Sequence, residues 1–196
     1  MGRGLGRAQS ARGTPGFSVS VNISGRQLRH RELAKDVQNA LDRSGLPPAC
    51  LVLEISESVL MDHSEENLGL LGELKSMGIR LAIDDFGTGY SSLSYLHRFP
   101  IDILKVDRSF IERLAGAAGD SGVVETIGRL GQSLRMETVA EGVELEEQVT
   151  ILRTLGYDLA QGYHFSRPVE AEKLAELLGP RGLAARVLRG LGRNAA

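Results

Sequence analysis

A parallel α/β fold of the TIM-type (β/α) barrel kind is what this sequence predicts, and three observations predict it. Short apolar runs alternate with helix-patterned segments six times, without a hairpin signal between them. Each run carries polar residues at its C-terminal end: Asn22, Glu54, Asp84 with Asp85, Lys105 with Asp107, Glu141, and Gln161. One stretch, Ile79 to Leu93, joins a buried-strand pattern to two adjacent carboxylates and then to a Gly- and Ser-rich loop. In a barrel all strand C-termini converge on one face, where active sites sit. A flat doubly wound sheet gathers only those beside its switch point. A complete barrel has eight strands and ~250 residues. The expectation for this 196-residue chain is therefore a barrel incomplete at its N-terminus, with about six of eight units present.

Composition sets the outer bounds. Hydrophobic content is 42% and charged content 24%, the balance of a soluble globular protein. A formal net charge of -2 gives no argument for DNA or a membrane surface as partner. The single cysteine, Cys50, excludes an internal disulfide, lies in an apolar run as a buried thiol, and is compatible with a cytoplasmic chain. No apolar run approaches the ~18 residues of a membrane span. His30, His63, His97 and His164 lack zinc-type spacing and are expected to be structural or exposed.

Residues 1–16 are rich in Gly and Arg and without apolar periodicity, so a disordered or poorly anchored leader is expected. Phe17 to Ser24 alternates and is β-branched, a strand ending near Asn22. Gln27 to Ser44 reads as one helix with Leu28, Leu33, Val37 and Leu41 on a face, stopped by Gly45 and Pro47-Pro48. Cys50 to Ser56 is the second strand, and Glu54 near its end is costly to bury without a partner. Ser64 opens a helix through Leu68, Leu71, Leu74 and Met77, closed by Gly78. The Ile79 strand follows, then a helix from Ser92 to Arg98. Ile101 to Asp107 is the fourth strand, with helical pattern resuming around Phe110 and from Ser121 to Leu134. Arg135 to Ala140 is the fifth strand, in which Thr138 stands where an aliphatic residue packs better. A helix opened by Glu144 or Glu146 runs through Leu152 to Gly156, and Tyr157 to Ala160 is the sixth strand. Ala171 to Leu178 is a last helix, so the domain spans 17–178, and 179–196 is a Gly- and Arg-rich tail.

The chemistry follows from the strand ends. Two adjacent aspartates repel each other unless a cation sits between them. A βα turn whose aspartates merely cap the next helix explains this stretch alone, but six polar strand ends then need six coincidences. Carboxylate and amide oxygens at this density suit Mg²⁺ or Mn²⁺, whereas zinc brings His or Cys. Two such ions ~3.5–4 Å apart activate a water and stabilise an in-line displacement at phosphorus. A lysine neutralises developing charge and a further carboxylate takes the water's proton.

Five motifs complete the reading: Leu53-Glu54-Ile55-Ser56-Glu57, the run Asp84-Asp85-Phe86-Gly87-Thr88-Gly89-Tyr90-Ser91-Ser92-Leu93, Lys105-Val106-Asp107, Ala140-Glu141-Gly142-Val143-Glu144, and Gln161-Gly162-Tyr163. Together they resemble the EAL domain, the cyclic-di-GMP phosphodiesterases of bacterial second-messenger signalling. The resemblance implies a metal-dependent hydrolase that opens one phosphodiester of cyclic-di-GMP to give linear pGpG. It implies that Asn22, Glu54 and Asp84 hold one metal and that Asp84 and Asp85 hold the second. Asp107 matches a nearby metal-site carboxylate, Lys105 the lysine at the nucleophilic water, and Glu141 a general base or water-mediated ligand. Gln161 matches a further site residue. Glu57 matches a glutamate that steadies the loop of Phe86, Gly87, Thr88, Gly89, Tyr90, Ser91 and Ser92, linked in the family to substrate binding and to a homodimer.

The Glu-Ala-Leu tripeptide that names the family is absent from the sequence. In the family its Glu is a metal ligand and a nearby Arg meets the substrate, both in the region expected before Phe17. Two outcomes follow: a weakly active or inactive truncated chain, or a partner chain that supplies the missing strands and Glu. A non-catalytic module that binds cyclic-di-GMP or regulates another domain is the competing expectation. An unrelated metal barrel acting on another phosphoester or an enolate fits the strand ends alone, but not the specific loop sequence.

Overall fold

The computed structural model describes residues 18–62, 64–89, 96–115 and 121–170. The expected leader, the C-terminal tail, the last helix, and residues 90–95 fall outside these. Six parallel strands form one sheet in the order β1 to β6: β1 (Val19–Ile23), β2 (Leu51–Ser56), β3 (Arg80–Phe86), β4 (Ile103–Val106), β5 (Glu137–Ala140) and β6 (Leu159–Ala160). The helices are α1 (Gly25–Leu28), α2 (Leu33–Ser44), α3 (Glu57–Met61), α4 (Ser64–Ser76), α5 (Arg108–Ile111), α6 (Ser121–Ser133) and α7 (Glu146–Thr154). Strand order follows chain order without reversal, so among the described residues there is no switch point and the sheet is an arc of a (β/α) barrel. The arc is not closed by hydrogen bonds: β1 and β6 are its two edges among the described residues.

The two faces of the arc differ in content. The outer face carries the large core, in which Leu53, Ile55, Leu81, Ile83, Leu104 and Val106 pack against helix residues such as Leu41, Leu71, Leu74, Ile111, Val124 and Leu152. The inner face carries a small apolar layer of Val52, Ala82, Ile103 and Val139, backed by Leu159. Below it, at the strand N-termini, Arg80 and Glu137 form a 2.7 Å ion pair. Above it, two residues further along the strands, stand Glu54, Asp84 and Lys105. Side chains of a barrel interior stack in such layers, and the top one is where function sits.

Several boundaries differ from the sequence expectation, each for a local reason. The helix expected over Gln27–Ser44 is two helices, α1 and α2. Leu28 and Leu33 are both buried, yet five residues apart they would lie ~140° from each other on a continuous helix. The turn at Arg29–Glu32 resets the phase, and Ser24 starts α1 with a capping box to Gln27. Cys50 is buried as expected but ends a 3₁₀ turn, Pro48–Cys50, before β2. The fourth strand loses Asp102, whose carboxylate accepts from Leu81 N at 2.8 Å and from Lys75. The fifth loses Arg135, at φ 58, and Met136, whose N–H bonds Gly131 O. The sixth loses Asp158, which receives both the N–H and the hydroxyl of Thr138 at 3.0 and 3.1 Å. Thr138 is therefore a satisfied buried polar residue and not a packing fault. His30 and His97 are exposed, and His164 meets Glu146 at 3.1 Å; His63 falls outside the described residues. Among the described residues no helix is long and apolar enough to cross a membrane.

Candidate active site

Four strands bring their C-terminal ends to one point through Lys105. Its ammonium lies 3.0 Å from Glu54 Oε2, 2.6 Å from Asp84 Oδ1 and 2.7 Å from Glu141 Oε1. Lys105 is 5% exposed and Glu54 is 7% exposed, so these charges are held in a poorly hydrated interior. Register explains the convergence of Glu54 and Asp84. Glu54 pairs with Ala82 and Ser56 with Asp84, which puts both carboxylates on the inner face.

Asp85 needs a different explanation. Adjacent residues of a regular strand point to opposite faces, so Asp84 and Asp85 cannot share a ligand in an undistorted β3. The pairing of β3 with β4 slips between Ile83 and Phe86, and Asp85 takes the left-handed conformation, φ 55. Aspartate tolerates that conformation better than most residues. The kink aligns the neighbouring carboxylates, and oxygens of Asp84, Asp85 and Glu141 lie within 4.8 Å of one another. Such spacing suits a single divalent cation bound by oxygen.

Electrostatics at this rim pull in both directions. Burial disfavours the charged form of Lys105, but Glu141, Glu54 and Asp84 outweigh it and push the ammonium above its ordinary range. Burial raises the Glu141 carboxyl to about 7, aided by Asp84 and Glu54 and opposed by Lys105. Asp85 is also raised, by burial and then by Asp84 and Asp107. Carboxyls held above their usual range are a recurring mark of functional sites.

The other expected residues surround this core. Gln161 donates its amide to Glu141 Oε1 at 2.5 Å. Asn22, exposed on the edge strand β1, sits in register with Glu54 on the inner face. Asp107 stands beside Asp85 and also caps α5, its Oδ1 accepting from Ser109 N at 3.0 Å. Glu57, 2% exposed, accepts from Gly87 N at 2.8 Å. Gly87 has φ 98, and a side chain there would strike Phe110. Phe86 is buried and pairs with Val106, and Thr88 donates its hydroxyl to Asp85 O at 2.9 Å. A Cβ at Gly89 would meet Glu57 Oε1. Tyr90 and Ser91 fall outside the described residues.

One organising residue was not expected from the sequence. Gln148 of α7, 3% exposed, accepts from Glu144 N and Leu145 N at 2.8 and 3.0 Å and donates to Ile111 O at 2.9 Å. It ties the loop after Glu141 to the end of α5. Its signal was a polar residue on the same buried face as Leu152, four positions on.

Comparison with known proteins gives the arrangement a family. The chain is 45% identical over 158 residues to the bifunctional diguanylate cyclase/cyclic di-GMP phosphodiesterase MucR of Pseudomonas aeruginosa, covering 81% of this chain and 23% of that protein. It is 43% identical over 160 residues to the cyclic di-GMP phosphodiesterase NbdA of the same organism, covering 82% of this chain and 20% of that protein. The solved MucR phosphodiesterase, in complex with c-di-GMP, superposes with a TM-score of 0.78, covering 81% of this chain and 64% of that one. Klebsiella pneumoniae BlrP1, solved with manganese and cy-diGMP, superposes with a TM-score of 0.71 at 32% identity, covering 77% of this chain and 39% of that one. The chain thus spans about a fifth of the length of these curated relatives. Residues 4–168 match the EAL domain, and with that match the strand-end carboxylates and the Asp84–Gly89 loop acquire a common origin: this chain belongs to the EAL domain family.

Proposed function

We propose that this chain carries EAL-type chemistry, the metal-dependent hydrolysis of cyclic-di-GMP to linear pGpG. The observation that carries the proposal is the convergence of Asp84, Asp85 and Glu141 within 4.8 Å beside Lys105. The donor set fits the metal: hard carboxylate oxygens, without His or Cys, suit Mg²⁺ or Mn²⁺. Asp84, Asp85 and Glu141 would hold a cation, with Glu54 and Asn22 extending the site along β2 and β1. When bound, the metal supplies Lewis-acid activation of a water and of the phosphoryl oxygens.

The side chains account for the remaining tasks. Burial holds Glu141 at about 7 without metal; its ionised form, favoured beside a bound dication, is the state that accepts a proton from water. The amide of Gln161 and the ammonium of Lys105 both contact Glu141 Oε1, fixing the orientation of the base. Lys105 remains cationic and opposes the negative charge that builds on phosphorus. Glu57 anchors the backbone at Gly87 and so the loop on which substrate rests. A homodimer through the Phe86–Ser92 loop and residence in the cytoplasm belong to the same proposal, and sedimentation of the chain with and without substrate tests the dimer.

The test is turnover of cyclic-di-GMP by the chain with Mn²⁺, read as pGpG. Product is expected at a low rate, since the Glu of Glu-Ala-Leu is absent from the sequence, and Asp84→Asn and Glu141→Gln are each expected to lower it about 10²–10⁴-fold. Tight nucleotide binding without product would assign the chain to the non-catalytic, regulatory class instead.

A further inference from the structure

We infer that Lys105 is the built-in counter-ion of the carboxylate cluster, competing with the divalent cations for the same carboxylates and setting their affinity. The inference rests on the metal site proposed above. Lys105 Nζ lies between 2.6 and 3.0 Å from three carboxylates on three strands. Two of them, Asp84 and Glu141, are also members of the three-carboxylate cluster. Asp84 and Glu141 therefore face the ammonium and would also be claimed by a cation.

The lysine has little freedom to withdraw. It rises from β4 on the inner face, with the layer of Val52, Ala82, Ile103 and Val139 beneath it. Its side chain is 6% exposed, so solvent ions screen it weakly. A fixed positive charge beside the cluster lowers its attraction for a dication and holds the carboxylates together in the metal-free chain. The lysine thereby trades metal affinity for a preassembled site.

Mn²⁺ titration at pH 8, followed by loss of the free-ion EPR signal, tests this on the chelator-stripped chain, Lys105→Met and Lys105→Gln. Both variants are expected to bind Mn²⁺ at least about tenfold more tightly than the wild type. Both are also expected to melt lower without metal and to gain more in Tm on saturation. The glutamine keeps amide donors for the carboxylates and serves where the methionine does not fold. A variant that folds only with Mn²⁺ supports the inference, since the cation then replaces the ammonium. Equal or weaker binding by folded variants, or failure of both to fold even with Mn²⁺, overturns it while the metal site stands. A wild-type chain that binds no Mn²⁺ overturns the metal site and this inference together.

Discussion

Glu141 is the residue at which burial, charge and function meet. Its carboxyl is raised from the ordinary 4.5 to about 7, chiefly by burial. Between those values the folded chain holds a proton that the unfolded chain has released, so stability falls as pH rises through this window. The stabilising contribution is complete below about pH 4.5 and is lost above about pH 7. Glu141→Gln, neutral throughout, removes this dependence. Urea midpoints of the metal-free chain and the variant, measured from pH 4.5 to 8, should therefore change relative to each other in that direction. Parallel curves would mean that Glu141 titrates normally. Much at this scale was legible in the sequence, because residue type and position at a strand end carry it: Glu54, Asp84, Lys105 and Glu141 were all named from the strand pattern. The adjacency of Asp84 and Asp85 was legible as a carboxylate pair, but not the geometry that turns both towards one point. Strand alternation forbids it, and only the left-handed turn at φ 55 permits it. Nor does the sequence say that Asp107 also caps α5 through one carboxylate oxygen.

Among the elements, α7 does more than cover the sheet. Through Gln148 it satisfies two backbone N–H groups of the loop after β5 and one carbonyl at the end of α5. Gln148→Leu fills the space but takes the donor from the buried Ile111 carbonyl, at about 1–3 kcal/mol, and the acceptor from two part-buried N–H groups that water reaches. We expect a loss of about 1–3 kcal/mol in chemical denaturation, and a lower kcat because the segment bearing Glu141 is released. A variant that lost stability but kept full kcat would make Gln148 a purely structural clamp. The same accounting explains why element boundaries were harder to read than element types. Apolar periodicity identifies β4, β5 and β6, but Asp102 and Asp158 shorten the reading by capping the N–H groups of Leu81 and Thr138 on the preceding strands. These are tertiary bonds, and a local window of sequence cannot contain them. The short α3 was missed for a related reason: at five residues it is too brief for a helical stripe, although it positions Glu57.

Across the whole molecule, order should decline from the middle of the arc outwards. β3 has a partner on each side, and Leu81, Ala82 and Ile83 are fully buried. β6 is joined to β5 by two residue pairs, and β1 presents Val21 at 43% exposure. Amides of strands paired on both sides open only with large-scale unfolding, whereas edge strands fray locally. Hydrogen exchange should therefore be slowest in Arg80–Phe86 and Ile103–Val106 and fastest in Val19–Ile23 and Leu159–Ala160. The candidate site adds a second expectation, since Glu54, Asp84, Lys105 and Glu141 link the C-terminal ends of β2 to β5. Mn²⁺ should slow exchange most at those four strand ends, and less in β1 and β6, which reach the site through Asn22 and through the Gln161–Glu141 bond. Should Val19–Ile23 exchange as slowly as β3 in a concentration-dependent manner, the edge that β1 presents among the described residues is covered by a second copy of the chain, as a sheet edge invites. Equally slow exchange at every concentration would refute the outward gradient itself.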